Sequence, residues 1–422
     1  MKKVKMLMLA NYFYPDVASL GQLMTELAEE LQNDIDLTVV AAFPNYTGTI
    51  PERYKGKRIV EDQYQNIRIL RVRVPEFDKT NKVSRIKYIL AYFFNSIVAI
   101  MKSGKQDVIY TTSQPPVLGG VLGVIGKLFK RAKLIYNIQD FNPEQTEAVG
   151  YAKNKLIIES ARFVDKISCK FSNMVIVVGR DMQQTLKKRF NNKNVPQNIV
   201  INNWTNEKVI KPLEKENPKV IEFKEKYGLE GKFIFMYSGN IGLFYDLENI
   251  IKVIGEFKNN DEIVFAFIGD GAVKQQLVDY CNENDMKNVK FIPYQDKKDL
   301  IYSLNAADIH WVVNAKGIKG VSVPSKLYGI MAAGKPVLGV LDEGSEARLI
   351  VEECNCGVCI EPGNYKEISR NIEYILNNKE LIKSLGQNGR KYLEVNLTKD
   401  VSINKYKETI LSLDNKKALT TN

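Results

Sequence analysis

Short apolar runs alternate with stretches of helical periodicity along nearly the whole chain. The strand candidates are near-continuously apolar, which is typical of strands buried on both faces of a parallel sheet. In the first half the predicted strands are Lys5–Ala10, Leu37–Ala42, Ile67–Val74, Val108–Thr112, Leu134–Ile138, Met174–Val178 and Ile199–Ile201. The helices predicted between them are Gly21–Gln32, Ser84–Lys102, Gly119–Phe129, Lys155–Phe171 and Asp181–Lys188.

The second half repeats this alternation. Its predicted strands are Phe233–Ser238, Val264–Ile268, Val289–Ile292, Ile309–Val313, Pro336–Val340 and Gly357–Ile360. Its predicted helices are Leu247–Phe257, Lys274–Asn284, Asp296–Asn305, Ser325–Ala333, Ser345–Glu353 and Tyr365–Asn377. The charged residues 203–232 are predicted to form a loop-like linker, and one last helix is expected at about 385–413.

This order predicts an α/β protein with two doubly wound, Rossmann-like domains facing each other across a cleft. We expect a first domain at residues 1–205 and a second at 206–395. A C-terminal helix and polar tail, residues 396–422, should pack back on the first domain.

The net charge of +11 lies entirely in the first half of the chain. Residues 1–200 hold 30 Lys and Arg against 18 Asp and Glu. Such a basic half points to a nucleic acid, an anionic membrane or a phosphorylated substrate. The longest apolar stretch, Tyr88–Met101, is shorter than the roughly 20 residues that span a bilayer, and no signal peptide is visible. We therefore expect a cytoplasmic protein that lies peripherally on the inner face of the plasma membrane.

Two glycine-containing turns follow neighbouring strands of the second half. Ser238, Gly239 and Asn240 follow one strand, and Gly269 and Gly271 follow the next. Such turns let backbone N–H groups approach a phosphate, although ordinary tight turns explain them equally well. Neither turn completes a G-x-G-x-x-G fingerprint, so NAD is not indicated.

The helix expected after Pro324 has an unusual first turn. Ser325 is a suitable N-cap, and Gly334 is a suitable stop. Lys326 lies in the first turn, where a cation opposes the helix dipole unless an anion is bound there. The sequence thus predicts that Ser325 and Lys326 meet a diphosphate; the alternative is a solvated lysine on an ordinary helix.

The sequence gives little support for a metal site or for a catalytic triad with an activated nucleophile. The one histidine, His310, falls inside a predicted strand, which argues against a catalytic triad. Cys354, Cys356 and Cys359 lack an evident fourth zinc ligand. The Asp-x-Asp at residues 34–36 precedes a strand instead of following one. We therefore expect neither a metal nor another cofactor.

Several short elements follow one another in the second domain, namely Tyr237-Ser238-Gly239-Asn240, Phe267-Ile268-Gly269-Asp270-Gly271, Phe291-Ile292-Pro293, Met331-Ala332-Ala333-Gly334-Lys335-Pro336-Val337 and the run from Cys356 to Asn364. In their order and spacing they resemble the nucleotide-binding domain of glycosyltransferase family 4, whose members have the two-domain GT-B architecture. Many family members carry two glutamates where this chain has Val321 and Gly329, and an Arg and a Lys where it has Asn240 and Tyr245.

The first domain looks like one branch of that family, the bacterial N-acetyl-L-fucosamine transferases of O-antigen and capsule assembly. The similar elements are Phe43-Pro44-Asn45-Tyr46, Val72-Arg73-Val74-Pro75 and Gln139-Asp140-Phe141-Asn142-Pro143-Glu144. Asn142 stands where that branch usually has Trp.

The resemblance implies a retaining, metal-independent transfer from a UDP-sugar to an undecaprenyl-diphosphate-linked saccharide. The sugar would be an N-acetylated 6-deoxyhexosamine such as L-FucNAc. In this scheme Asp140 positions or deprotonates the acceptor, Glu144 lines the acceptor side, and Lys326 stabilises the diphosphate. Further donor contacts are expected from Gly21, from Phe291 and Ile292 at the base, and from Glu346 at the ribose.

Two other functions remain open. A non-hydrolysing UDP-sugar 2-epimerase has the same fold, but it would need a histidine in the cleft. A nucleic-acid-binding protein could use the basic half, but the basic residues are not interleaved with aromatic ones in a recognised module.

Overall fold

The computed structural model describes residues 3–45, 49–76, 81–148, 150 and 154–415. Tyr46 and the polar tail beyond residue 415 lie outside the described residues. In the first half the elements are β1 (Val4–Leu9), α1 (Ser19–Leu31), β2 (Ile35–Ala42), β3 (Ile59–Tyr64), β4 (Ile67–Val72), α2 (Lys82–Lys102), β5 (Val108–Thr112), α3 (Leu118–Lys130), β6 (Lys133–Ile138), α4 (Glu144–Ala148), α5 (Lys155–Phe171), β7 (Met174–Val177), α6 (Arg180–Arg189) and β8 (Asn198–Val200).

The second half contains α7 (Pro218–Tyr227), β9 (Phe233–Ser238), α8 (Leu247–Ile254), β10 (Ile263–Ile268), α9 (Lys274–Glu283), β11 (Val289–Ile292), α10 (Leu300–Ala306), β12 (Ile309–Val313), α11 (Lys326–Ala332), β13 (Val337–Val340), α12 (Glu346–Cys354), β14 (Gly357–Ile360), α13 (Tyr365–Asn377), α14 (Leu381–Asn396) and α15 (Lys399–Asn415).

The strands form two sheets, one in each half. The first has the order β3-β4-β2-β1-β5-β6-β7-β8, and the second has the order β11-β10-β9-β12-β13-β14. Neighbouring strands pair in parallel except β3, which runs antiparallel to β4. The predicted α/β class with two doubly wound halves is confirmed.

Three local predictions were wrong. β3 was missed because its sequence, Ile-Val-Glu-Asp-Gln-Tyr, is that of a polar, half-exposed edge strand. The presumed linker contains α7, whose first turn is capped by the Asn217 side chain and which stops at the left-handed Gly228. The single last helix is in fact two, α14 and α15, which are separated at Leu397 and Thr398.

Each sheet has apolar side chains packed on both faces. On one face of the first sheet, α1 and α15 cover residues such as Met6, Met8 and Val39. On the opposite face, α2 and α3 cover Leu7 and Leu9. The last described helix, α15, therefore lies on the first sheet, whereas α14 packs against α11 and α12 of the second half.

A buried polar network fixes α15 to the cleft end of the first sheet. Asn137, in β6, donates from Nδ2 to the hydroxyl oxygens of Tyr110 at 2.6 Å and Tyr406 at 2.7 Å. Its Oδ1 accepts from Gln139 Nε2 at 2.9 Å, and Gln139 Oε1 accepts from Asn203 Nδ2 at 2.8 Å. The network thus joins the last helix to the segment that leads into Asp140.

The network predicts how strongly three substitutions lower the free energy of unfolding. Asn137→Leu leaves the Gln139 amide without its partner and removes the bridge between the two hydroxyls, so we expect a loss of about 2–4 kcal/mol in unfolding free energy. Tyr406→Phe removes one acceptor and should cost about 1 kcal/mol. Tyr374→Phe, at an exposed tyrosine of α13, is the control and should be neutral. Urea unfolding measures all three, and equal effects of the first two would contradict the network.

Candidate functional site

The strand order of the second sheet changes direction between β9 and β12. The chain builds β9, β10 and β11 outward on one side, then returns to place β12 on the other side of β9. In doubly wound sheets, ligands bind at the carboxyl ends of the strands beside such a switch. Gly239 follows β9 at this point, and a Cβ atom there would lie 3.5 Å from Lys326 Nζ. The predicted lysine therefore reaches the switch point of the second sheet.

The ammonium group of Lys326 is buried without a counter-charge. Among the described residues it has no hydrogen-bond partner. Its Nζ lies 3.7 Å from the ring centroid of Tyr237 and 4.5 Å from that of Tyr245. Burial lowers the pKa of Lys326 to about 7. Aromatic faces attract a cation but do not neutralise it, so the group is available to an anion.

The two glycine turns pack on each other instead of opening toward a phosphate. Gly239 N–H donates to Ile268 O at 2.9 Å, and Gly269 N–H donates to Ile292 O at 3.1 Å. A Cβ atom on Gly269 would clash with the carbonyl oxygen of Gly239, and one on Gly271 with that of Ile241. The expectation that these glycine N–H groups meet a phosphate is corrected, because Gly239 and Gly269 already donate to carbonyls and Gly271 N–H donates to the Asp270 carboxylate.

Asp140 lies where the two halves touch. Its backbone forms an isolated antiparallel bridge with Ser322, and Phe141 N–H donates to Val321 O at 2.8 Å. Burial raises the pKa of Asp140 to about 6. Burial, and secondarily the charge of Asp140, raises the pKa of Tyr245 to about 12. The charge of Asp140 thus acts on the same tyrosine whose ring centroid lies 4.5 Å from Lys326 Nζ.

Glu144 is held by ion pairs within the first half. Its Oε2 accepts from Arg189 Nη2 at 2.6 Å, and its Oε1 accepts from Arg162 Nε at 3.1 Å. Burial alone would raise the pKa of Glu144, but its ion pairs with Arg189 and Arg162 lower that pKa below the usual value. Arg189 also pairs with Asp165, so these residues form an ion cluster within the first half. These pairs give Glu144 a structural role, and its predicted place on the acceptor side stays a prediction.

Glu346 joins the two halves. Its Oε2 accepts from the backbone N–H and Nε of Arg180 at 2.8 and 2.9 Å. Its Oε1 accepts from Asn202 Nδ2 at 2.8 Å. Both oxygens of this buried carboxylate accept from the first half, and the expected ribose contact stays a prediction. Beside it, Gly320 N–H donates to Asp181 Oδ2 at 2.8 Å across the same interface.

The other residues predicted to contact the nucleotide-sugar donor lie in different surroundings. Ser325 occupies the predicted N-cap position of α11 and is exposed, but its side chain makes no capping hydrogen bond within the described residues. Gly21 lies in α1, where a Cβ atom would come within 2.9 Å of Tyr12 Cβ, so close packing requires the glycine. Phe291 and Ile292 end β11, and the Ile292 carbonyl is engaged by Gly269 N–H.

Two features near the switch point were not predicted from the sequence. Tyr237 and Tyr245 flank the lysine, although the sequence drew attention to Tyr237 only within a matching element and to Tyr245 only as a position where many family members have a lysine. Lys274, in the first turn of α9, donates from Nζ to Gly269 O at 3.1 Å. One indication of this contact was present in the sequence, a lysine shortly after a glycine turn. Lys274 adds a second positive charge beside that turn.

Metal chemistry is not indicated by the donor set. Within the described ranges, no three His, Cys, Asp or Glu side chains group so that they could hold a metal ion. Asp34 and Asp36 form ion pairs with Lys407 and Lys5 at the amino end of the first sheet. His310 is fully buried with a ring nitrogen 2.9 Å from Leu304 O, and burial lowers its pKa to about 4. The prediction of a buried strand histidine is confirmed.

A separate surface of the first half is apolar and exposed. Its side chains recur at helical spacing on α2 and continue onto the adjacent α3 and α5. We call this surface the apolar face. It comprises Val83, Ile86, Leu90, Phe94, Met101, Leu128, Phe129, Leu156, Ile157 and Phe163. By length and composition, α2 could cross a membrane, and 28% of its apolar window is buried in the protein. The helix is thus longer than the apolar stretch predicted from the sequence.

Comparison with known proteins agrees with this architecture. Residues 219–392 match the family model of Glycosyl transferases group 1. The chain is 29% identical over 343 residues to "Probable glycosyltransferase WbjE" of Pseudomonas aeruginosa, covering 79% of this chain and 81% of that protein. It is 24% identical to "Putative colanic acid biosynthesis glycosyl transferase WcaI" of Escherichia coli strain K12, covering 94% and 97% of the two chains.

Solved structures show the same fold across the whole chain. A sucrose-phosphate synthase from Thermosynechococcus elongatus superposes with a TM-score of 0.77 at 14% identity, covering 98% of this chain and 100% of that one. Anabaena HepE in complex with UDP gives 0.69 at 14% identity, covering 97% and 100%. The fold is therefore the two-domain GT-B architecture, and together the comparisons support a GT-B glycosyltransferase.

Lys326→Met tests whether the ammonium is buried without a counter-charge. The pKa of this group is about 7 in the folded chain and near 10.5 when exposed, so between these values the unfolded chain binds more protons. Wild-type stability should therefore rise with pH through this window, and the methionine variant should lack that contribution. We expect Lys326→Met to melt higher than wild type at pH 7, with the gap closing toward pH 10.

Lys366→Met, on the exposed surface of α13, is the matched control and should follow wild type. A melting gap that stays constant as the pH rises would show that Lys326 is solvated, and a gap that widens would show that it pairs with an acidic group. Lys335 is a poor control, because burial lowers its pKa as well, to about 8.

Proposed function

We propose that this protein is a retaining glycosyltransferase that moves a sugar from a UDP-sugar to a lipid-linked saccharide during bacterial surface polysaccharide assembly. One observation carries the proposal: the Lys326 ammonium, buried without a counter-charge at the switch point of the second sheet. A nucleoside diphosphate supplies the anion that this cation lacks. The GT-B fold and the group 1 match over residues 219–392 support this proposal.

The names of similar proteins support the finer assignment. HepE was solved with UDP and with UDP-glucose, and WcaI is named for colanic acid biosynthesis. The motifs of the first domain favour an N-acetylated 6-deoxyhexosamine, such as L-FucNAc, as the transferred sugar. An undecaprenyl-diphosphate-linked saccharide is the proposed acceptor.

In the proposed reaction, the bond between the anomeric carbon and the leaving phosphate breaks as the acceptor oxygen attacks from the same face. Lys326 stabilises the negative charge that develops on the departing diphosphate. Asp140 orients the acceptor hydroxyl, and its pKa near 6 leaves it mostly ionised at neutral pH. The proton passes to the leaving phosphate or to Asp140. Lys326, and no metal ion, is proposed to neutralise the diphosphate.

Lys326→Ala should strongly weaken UDP binding. A charge-assisted contact is worth about 1.5–3 kcal/mol, so we expect UDP affinity to fall by about tenfold to a hundredfold. Turnover should fall by about a hundredfold or more, because the charge develops further in the transition state. Titration calorimetry with UDP, GDP and ADP gives the measurement, with Lys366→Ala as the control. Unchanged UDP affinity in Lys326→Ala, or wild-type preference for GDP or ADP, would refute the assignment.

We further propose that the apolar face docks on the inner surface of the plasma membrane, where a lipid-linked acceptor resides. Basic side chains border it on the same helices and their connections, namely Lys82, Arg85, Lys87, Lys102, Lys127, Lys130, Arg131 and Lys133. Lys79, another basic residue of this set, lies outside the described residues. Apolar insertion combined with about 1 kcal/mol per basic residue near anionic lipid suffices for reversible attachment.

Flotation with anionic liposomes tests this docking. We expect wild type to float at low salt and a Phe94→Glu/Leu128→Glu variant to stay at the bottom, because each new carboxylate opposes both insertion and charge attraction. Both positions are exposed, so folding should be unaffected. Val395→Glu alters an equally exposed apolar residue of α14 and should float like wild type. Wild-type protein that stays at the bottom would rule out docking.

A further inference from the structure

A cavity of about 260 Å³ opens at the outer edge of the first sheet, away from Lys326. It lies between the β3–β4 edge and the loop that connects β1 to α1, at the carboxyl ends of β1 and β4. Its lining residues include Tyr14, Pro15, Arg53, Asp62, Gln63 and Arg71. None of them belongs to the donor site described above.

Arg71 is the buried polar group of this cavity. Its side chain is 1% exposed, Nη2 donates to the carbonyl oxygen of Tyr14, and Nε lies 3.4 Å from Asp62 Oδ2. Its Nη1 is buried and has no hydrogen-bond partner in the described part of the chain. Leaving a donor of a buried charged group unsatisfied is costly, so an oxygen-bearing ligand in the cavity would remove that penalty.

The charges around the cavity are balanced. Arg53 lies 3.6 Å from Asp62, which also accepts from the Tyr54 hydroxyl at 2.8 Å. The carboxylate of Asp16 acts on Arg71 as a second nearby acid. The charges of the two guanidinium groups that line the cavity are thus offset by Asp62 in the lining and by Asp16 near Arg71, so the site favours a neutral ligand over a free anion.

The remaining lining matches a hydroxyl-rich ring. Arg71 Nη1 and Arg53 offer donors, Asp62 offers acceptors, and the Gln63 amide offers both. Tyr14 presents an aromatic side chain that is 45% exposed and stacked on Tyr64 at a centroid distance of 3.9 Å. The volume lies just below the range of drug-sized pockets, which suits a single sugar ring.

We propose that this cavity binds one neutral sugar unit of the acceptor saccharide. The proposal rests on the proposed function and assigns a subsite in the first domain that is separate from the donor site. Sugar oxygens accept from Arg71 Nη1 and Arg53, a sugar hydroxyl donates to Asp62, and the ring packs on Tyr14. The acceptor chain is thereby held beside the loop that leads into α1.

Ligand-observed saturation-transfer NMR on the full chain tests the cavity with free glucose, galactose and N-acetylglucosamine as neutral probes. Glucuronate and inorganic phosphate serve as anionic probes. We expect a neutral sugar to bind wild type and its signal to fall at least threefold in Arg53→Ala and in Gln63→Ala. Arg68→Ala is the matched control, because Arg68 lies on β4 but pairs with Glu61 outside the cavity. UDP affinity, measured in parallel, should be the same in all of these proteins.

The outcomes separate this proposal from the proposed function. Neutral-sugar binding that persists in both cavity variants, or no such binding in a wild type that still binds UDP, would overturn the cavity assignment. Preferential binding of glucuronate or phosphate that is lost in Arg53→Ala would overturn it in favour of an anion site. Loss of UDP binding by wild type, with sugar binding intact, would instead defeat the donor assignment and leave the cavity standing.

Discussion

The structure of the cleft depends on holding one ammonium group, that of Lys326, between two aromatic rings with no counter-charge among the described residues. Lys326 can occupy this position only because α11 is fixed from both ends. Its side chains pack into a core with α12 and α14, and Arg390 Nη1 donates to Ala332 O at 2.7 Å and to Ile210 O at 3.0 Å. The packing of α11 therefore holds the backbone of its first residue in place beside Tyr237 and Tyr245 and offsets the cost of burying the ammonium group.

The segment that carries Lys326 also makes the contact with the first domain. Gly320 N–H donates to Asp181, and Val321 O accepts from the backbone N–H of Phe141, the residue after Asp140. The paired backbone of residues 140–141 and 321–322 thus positions the carboxylate of Asp140. The same segment leads into the helix that carries Lys326. Glu346 strengthens the same interface through Arg180. A separate ion pair, Lys297 with Glu26 at 2.6 Å, joins the two halves through α1.

The sequence predicted what depends on neighbours along the chain and missed what depends on distant partners. Continuous apolar strands such as Phe233–Ser238 were located correctly, whereas the polar edge strand β3 had no such pattern. Lys326 could be identified because a first-turn lysine is locally unfavourable. The partners of Glu144 and Glu346 could not be identified, because Arg189 and Arg180 lie 45 and 166 residues away and local periodicity carries no information about such contacts.

The low pKa of Lys326 bears on the proposed diphosphate contact. With a pKa near 7 the group is partly neutral at neutral pH, which reduces the cost of burying it. In the proposed reaction a bound diphosphate would favour the charged form, so binding would draw a proton onto the lysine. The neighbouring rings of Tyr237 and Tyr245 attract that cation without forming an ion pair that the diphosphate would have to break. A carboxylate in their place would keep the lysine charged and would repel the diphosphate, so the lack of an acidic partner among the described residues fits the proposed role.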